Sequence, residues 1–179
     1  MYKRQNLDGA YLKDTILTDA SLLYASMRDA DLIYADLEDA NLYRADLTRS
    51  YLSYANLQGA DLRSADLTDA SIYDSNFSDA DFRNAKMFSA YIDDVDFTDT
   101  LFVFAQVTES TIRNSIFDNS FFMYADFRDT GFVYSSFDSV YFVEWNDDGA
   151  TDVDGVRFTS CTFNNLIWID NNNYNTDPT

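Results

Sequence analysis

Ala55-Asn56-Leu57-Gln58-Gly59-Ala60-Asp61-Leu62-Arg63-Ser64-Ala65-Asp66-Leu67-Thr68-Asp69-Ala70 repeats its character every five residues. Stepping by five from Leu57 in both directions, an apolar residue falls at every position from Leu7 to Phe142, 28 times in succession. At the chain's 46% apolar frequency such a run arises by chance with probability on the order of 10⁻⁹ or less, so the repeat is read before any secondary structure.

The apolar member of each five is here called the centre. Centres are Leu at 12 of the first 13 positions, with Met27 the exception, and from Ile72 onward they become Phe, Ile, Val or Met, ten of those fifteen being Phe. Two residues before each centre the side chain is small: 16 Ala, 6 Ser and 3 Thr among 28, with Gln5, Val95 and Val140 the others. A period of five matches neither the 3.6 of a helix nor the two-residue alternation of a strand, so the chain must turn every five residues. A short extended piece and a tight turn make one side of a coil, and four sides close a square of twenty residues. Stacking such coils at about 4.8 Å pairs each backbone with its neighbours and lays like side chains in columns. The other three positions of each five point outward and carry most of the Asp, Arg, Thr and Tyr.

This pattern, Ala-(Asp/Asn)-Leu-x-x shading into Ser-x-Phe-x-x over about 140 of 179 residues, resembles the pentapeptide-repeat family. The resemblance implies an all-β fold, a right-handed quadrilateral β-helix, here of about eight coils. One domain is expected over residues 1–170, with its main register at 5–144. An inserted loop at 144–149, Glu144-Trp145-Asn146-Asp147-Asp148-Gly149, breaks the frame. A last coil at 151–170 resumes one residue out of step, with centres Val153, Phe158, Phe163 and Trp168 and inward companions Thr151, Val156, Cys161 and Leu166. Residues 171–179 read as a polar tail.

Composition narrows the function. There is no apolar run near the roughly 20 residues a membrane span needs, and Met1-Tyr2-Lys3-Arg4-Gln5 leads straight into repeats, so a cytoplasmic address is the default. The single cysteine, Cys161, forms no internal disulfide and takes a small inward slot, which predicts a buried, inert thiol. With no His and one Cys, the usual zinc ligands and nucleophile bases are missing; no catalytic residue, cofactor or metal cluster is nominated, and an enzyme is not expected. Asp147 to Gly155 has acids and Gly as calcium loops do, but without the full spacing and later Glu, and reads as a polar loop. The net charge of −19 repels nucleic acid and anionic membrane and attracts a basic surface.

Asp precedes the centre at positions 31, 36, 46, 61, 66, 81, 96 and 126, where a short carboxylate bonds a nearby backbone N–H. The informative acids follow the centre. Sorted by twenties, the third side (centres Leu17, Leu37, Leu57, Phe77, Phe97, Phe117, Phe137) carries Asp19, Glu38, Asp39, Asp79, Asp99, Asp118 and Asp138 and no Lys or Arg. The first side (centres Leu7 to Phe127), the second (Leu12 to Phe132) and the fourth (Leu22 to Phe142) all mix in cations. A row of carboxylates at near-regular spacing imitates the phosphates of a duplex and suits a positively charged DNA-binding channel; the competing reading is an acidic face that keeps a β-rod soluble. The fourth side presents Leu101, Val103, Phe104, Phe121, Met123, Tyr124, Tyr141 and Val143 outward near the C-terminal half. That surface reads as a partner interface or a homodimer contact, the alternative being cover from the loop, with Trp145, or from the tail. Outward tyrosines such as Tyr34 and Tyr54 read as short ladders that brace neighbouring coils.

Within the family, length, acidity, the Leu-to-Phe drift and the apolar C-terminal region are similar to the Qnr and MfpA type. That resemblance implies binding of DNA gyrase or topoisomerase IV by DNA mimicry and protection against quinolones or gyrase-directed toxins. A non-catalytic scaffolding module is the alternative. Qnr members usually carry loops projecting from the rod, whereas here the clear interruption is at 144–149.

Overall fold

The computed structural model describes residues 5–143 and 156–169. Each pentapeptide forms one side of a right-handed quadrilateral β-helix, and each side pairs in parallel with the residue twenty further on: Asn6 with Ser26, Tyr11 with Asp31, Ile16 with Asp36, Ser21 with Asn41. Later the bridges lengthen into three-residue strands: β1 (Ser71–Tyr73), β2 (Tyr91–Asp93), β3 (Thr111–Arg113), β4 (Phe121–Met123), β5 (Gly131–Val133), β6 (Ser136–Asp138), β7 (Tyr141–Val143), β8 (Arg157–Thr159), β9 (Thr162–Asn164) and β10 (Ile167–Ile169). They form β1-β2-β3-β5-β8 on the second side, β6-β9 on the third and β4-β7-β10 on the fourth.

Following the five N–H groups of one repeat explains its residue types. The centre donates to the next coil, as Leu7 does to the Ser26 carbonyl at 2.7 Å, and so does the residue two after it, Gly9 to Arg28 at 2.7 Å. The residue before the centre donates backwards, Ser26 to Gln5 at 2.8 Å, and the residue three after the centre closes a turn, Ala10 to Leu7 at 3.0 Å. One N–H remains, directly after the centre, and no backbone acceptor faces it. Asp or Asn before the centre accepts it: Ile33 donates to Asp31 Oδ1 at 3.1 Å, Tyr43 to Asn41 at 3.1 Å and Thr98 to Asp96 at 2.9 Å. At Ser26 and Ser136 a carboxylate of the preceding coil substitutes. Asp8 Oδ1 accepts from Ser26 Oγ and the Arg28 N–H, and Asp118 Oδ1 from Ser136 Oγ and the Asp138 N–H.

The turn places the second residue after the centre at positive φ, near 57° at Asp14, Asp19 and Asp29. Asp, Asn and Gly tolerate that left-handed region best, and Asp or Asn holds about half of these positions. At Gly59 (φ 68°) the absent side chain also matters, because a Cβ would meet Asp39 Oδ1 at 2.2 Å.

Inside, the centres and small residues are buried from Leu22 to Phe142. The phenylalanines stack along the rod: Phe77, Phe97, Phe117 and Phe137 follow one another with centroids 5.6, 4.9 and 5.1 Å apart, while Phe82, Phe102 and Phe122 are 5.0 and 5.1 Å apart. All thirteen turns from Leu7 to Leu67 close by backbone bonds of 2.8–3.2 Å. In the second half, buried hydroxyls take over part of this duty. Ser110 Oγ accepts the Ala90 N–H at 3.1 Å and donates to the Met87 carbonyl at 2.6 Å, while Ser115 and Ser135 Oγ accept the N–H groups of Val95 and Ser115 at 3.3 Å. The Ala-to-Ser drift at the small position thus accompanies the opening of the turns.

Ser50 is the counterexample. Its hydroxyl is buried without a hydrogen-bond partner, in a turn the backbone already closes (Ser50 N–H to Leu47 carbonyl, 3.0 Å). Ser50→Ala is expected to stabilise the protein by about 1 kcal/mol by removing an unmet donor. Chemical denaturation checks this, and a lowered midpoint would contradict it.

After β7 the register step becomes 26 residues: Phe158 pairs with Phe132 and Phe163 with Phe137. Phe158 and Phe163 are each 42% exposed, in a coil that the described residues cover from one side, through Phe132 and Phe137. For the same reason Cys161 is half-buried rather than buried as its slot predicts, with Sγ 3.4 Å from the Phe132 carbonyl oxygen. At the other end Leu7, Leu12 and Leu17 are partly buried, and Tyr11 and Ile16 stand out into solvent. Val153, the 144–149 loop, the acidic segment 147–155 and the tail lie outside the described residues.

Candidate functional site

The acids after the centres on the third side come together as one surface, at two kinds of position. Asp19, Asp39, Asp79 and Asp99 occupy the positive-φ position, whereas Glu38, Asp118 and Asp138 directly follow the centre. The first four therefore have a conformational reason to be Asp. Asp36 and Asp96 lie on the same side before the centre, and the sequence reading, having assigned that position to turn building, left them out. They do bind the Glu38 and Thr98 N–H groups, at 3.2 and 2.9 Å, while adding their charge to the surface. Sorting that position by side would have found them.

The partners of these carboxylates are neutral. Asp36 accepts from Thr18 Oγ1 at 3.2 Å and Asn56 Nδ2 at 3.1 Å; Asp79 accepts from Gln58 Nε2 at 3.3 Å; Asp138 accepts from Ser139 Oγ at 3.0 Å and Asn165 Nδ2 at 3.1 Å. Asp61 and Asp81 on the fourth side and Asp126 on the first are instead gripped by Arg63, Arg83 and Arg128, each through two nitrogens at 2.6–2.9 Å. The hydrogen bonds from Arg63 hold the Asp61 carboxyl below the usual range. Burial pushes Asp126 up, but the bonds from Arg128 more than offset it. The charge of the third side is thus left for solvent or a partner, whereas on the first and fourth sides Asp29, Asp46, Asp61, Asp81 and Asp126 are ion-paired with arginines.

The row is interrupted. The third coil presents Asn56, Gln58 and Gly59, so the near-regular spacing read from the sequence gives way to a group from Asp19 to Asp39 and a second stretch from Asp79 to Asp138. Nine carboxylates lie on this side. At about 4.8 Å per coil they span roughly 29 Å from Asp19 to Asp138, or about one per 3–4 Å, close to the ~3.4 Å per phosphate along one strand of B-DNA.

The apolar residues of the fourth side also meet. Leu101 bridges to Phe121, Phe121 pairs with Tyr141, and Tyr141 pairs with Ile167, which extends the column beyond the residues predicted. Ile167 was missed because the frame shift hides its membership of this side. Phe104 stacks on Tyr124 at 4.8 Å, and Phe121 packs at a tilt against Tyr141 at 5.4 Å. This mutual packing leaves Val103, Phe121, Met123, Tyr124 and Tyr141 half-buried rather than fully presented, with Leu101, Phe104 and Ile167 the exposed members. Val143 continues the column through its backbone pairing with Met123. Toward the N-terminus the same side changes character, with Arg44 over the rings of Tyr24 and Tyr43 at 5.7 and 5.2 Å.

Two open recesses of about 310 Å³ each share Glu109 and Asp129 along the first side and its corner with the second; neither includes a residue of the acidic or apolar surfaces. Among the described residues no group of three or more His, Cys, Asp and Glu is placed to hold a metal ion, and no helix is long and apolar enough to cross a membrane.

Comparison with known proteins bears on fold and family. The family model for pentapeptide repeats matches in eight copies over residues 3–32, 30–69 and 65–102. QnrB1, described as a plasmid-mediated fluoroquinolone resistance protein, superposes with a TM-score of 0.69 at 17% identity, over 90% of this chain and 79% of its own. A pentapeptide repeat protein of the Arabidopsis thaliana thylakoid lumen is 29% identical over 51% of this chain and 67% of its own, with a TM-score of 0.43. HetL, involved in heterocyst differentiation regulation in the cyanobacterium Nostoc, is 18% identical over 91% of this chain and 86% of its own, with a TM-score of 0.33. A search of curated proteins finds no match.

Proposed function

Because the chain belongs to the pentapeptide-repeat family, a rod that offers surfaces rather than a cleft, we propose that its third side imitates a strand of duplex DNA. Its partner is then a basic DNA-binding protein, a type II topoisomerase such as DNA gyrase or topoisomerase IV, which the rod modulates or protects. The observation that carries this reading is the linear density of carboxylates whose partners are neutral, one per about 3–4 Å against ~3.4 Å per strand phosphate. A channel that releases counterions to bind phosphates gains the same attraction from this row, and that attraction weakens with salt.

The test is DNA supercoiling by purified gyrase, with and without a quinolone, in the presence of wild-type protein or the Asp79→Asn, Asp99→Asn, Asp118→Asn variant. Asn keeps the acceptor through which Asp118 holds the Ser136 hydroxyl and the Asp138 amide, so the variant is expected to fold. Wild type is expected to inhibit or protect at micromolar concentration, and the variant to need at least tenfold more. Equal potency, or no effect of either, contradicts the reading.

The apolar half of the fourth side supports a second reading, a scaffolding module or homodimer joined through Leu101, Phe104 and Ile167. Inactivity toward gyrase together with a dimer in equilibrium sedimentation is the outcome that favours it.

A further inference from the structure

The second side carries an aromatic pattern separate from both surfaces. Tyr11, Tyr51 and Tyr91 stand in one ladder column: Tyr11 pairs with Asp31, Asp31 with Tyr51, Tyr51 with Ser71 and Ser71 with Tyr91. The three tyrosines are 74, 51 and 45% exposed, while the residues between them, Asp31 and Ser71, are short. The column is therefore a comb, with aromatic ridges and polar valleys alternating coil by coil. At about 4.8 Å per coil the ridges recur every ~9.6 Å. Two or three residues further along each coil, Tyr34 stacks on Tyr54 at 4.6 Å and Tyr54 meets Tyr73 edge-on at 5.5 Å, giving a braced aromatic wall on the same side. Over these coils the side carries Asp14, Asp31, Asp74, Asp93 and Asp94 against one cation, Lys13, which lies over the Tyr34 ring.

The spacing selects among peptide conformations. An extended strand repeats on one face every ~6.6–6.8 Å, and two helical turns advance ~10.8 Å, more than 2 Å out of step across the span from Tyr11 to Tyr91. A polyproline II helix repeats every three residues, ~9.3 Å, and stays within about 0.6 Å over the same span. Its apolar rings suit clefts between aromatic ridges, and its lack of conformational freedom lowers the entropy lost on docking. The excess of carboxylates asks for Lys or Arg on that ligand and disfavours nucleic-acid bases, whose phosphates they repel.

We propose that the second side is a docking strip for a proline-rich, basic segment of a partner protein, bound as a polyproline II helix with its rings between Tyr11, Tyr51 and Tyr91. The inference does not depend on the third side acting as a DNA mimic.

Fluorescence anisotropy of a labelled (Pro-Pro-Arg)₄ peptide tests it, with (Gly-Gly-Arg)₄ as a probe of equal charge and no preformed helix. The expected result is binding of the proline peptide at least tenfold tighter than the glycine peptide. Tyr51→Ser should weaken it tenfold or more, while Tyr51→Phe and the third-side variant Asp99→Asn stay within about twofold of wild type. Thermal unfolding of Tyr51→Phe and Tyr51→Ser shows whether any loss is a folding defect, and Tyr91→Ser repeats the test two coils away. Equal binding of the two peptides reduces the effect to net charge and overturns the proposal. So does full affinity in folded Tyr51→Ser and Tyr91→Ser, or failure of both peptides where a neutral cello-oligosaccharide binds.

Discussion

Phe97→Ala is expected to destabilise the protein by about 4 kcal/mol, the upper range for truncating a core aromatic. Phe97 is fully buried at mid-rod, stacked between Phe77 at 5.6 Å and Phe117 at 4.9 Å and edge-on to Phe82 and Phe102 at 5.8 and 5.6 Å. Truncation opens a cavity that neighbours held in stacked coils cannot collapse into. The same change at Phe163, 42% exposed, stacked on Phe137 at 5.3 Å and edge-on to Phe158 at 5.2 Å, should cost less than half as much. Guanidinium unfolding of the two variants compares them. Equal losses would mean that the central column is not packed as described.

Ser110→Ala, the removal of a single oxygen, is expected to cost about 2–3 kcal/mol, because it orphans two buried backbone groups at once. The Ser110 hydroxyl accepts the Ala90 N–H and donates to the Met87 carbonyl. At Ser50, where the turn is closed by backbone, the identical substitution should have the opposite sign. Measured together by denaturant midpoints, the pair separates hydroxyls that replace a turn bond from one that adds nothing. Two changes of the same sign would contradict that distinction.

The fold was legible because one physical constraint, a backbone that must turn every five residues around a packed interior, leaves a periodic trace at every centre from Leu7 to Phe142. The role of Asp before the centre was legible too, since it is the nearest acceptor for an N–H that faces no backbone carbonyl. The candidate site was less so. Asp after the centre has two causes that look alike in sequence, a left-handed backbone and a surface charge, and only the φ values show that Asp79 and Asp99 have the first reason while Asp118 does not. Asp36 and Asp96 were hidden by the converse ambiguity, a structural job that also leaves charge on the surface. Ile167 was hidden by the frame shift, and the exposure of Phe158 and Phe163 by the pattern itself, which gives every centre the same inward place whatever covers its coil.

The central claim is that placement of charge, not its amount, makes the third side a recognition surface. The most direct measurement sets two variants of equal net charge against each other in competition with duplex DNA for gyrase at about 0.1 M salt. One carries Asp79→Asn, Asp99→Asn and Asp118→Asn on the third side; the other carries Asp14→Asn, Asp69→Asn and Asp129→Asn on the first and second sides. The account predicts that the first loses at least tenfold in competing strength and the second less than threefold. Equal losses would assign the effect to bulk acidity and contradict the claim.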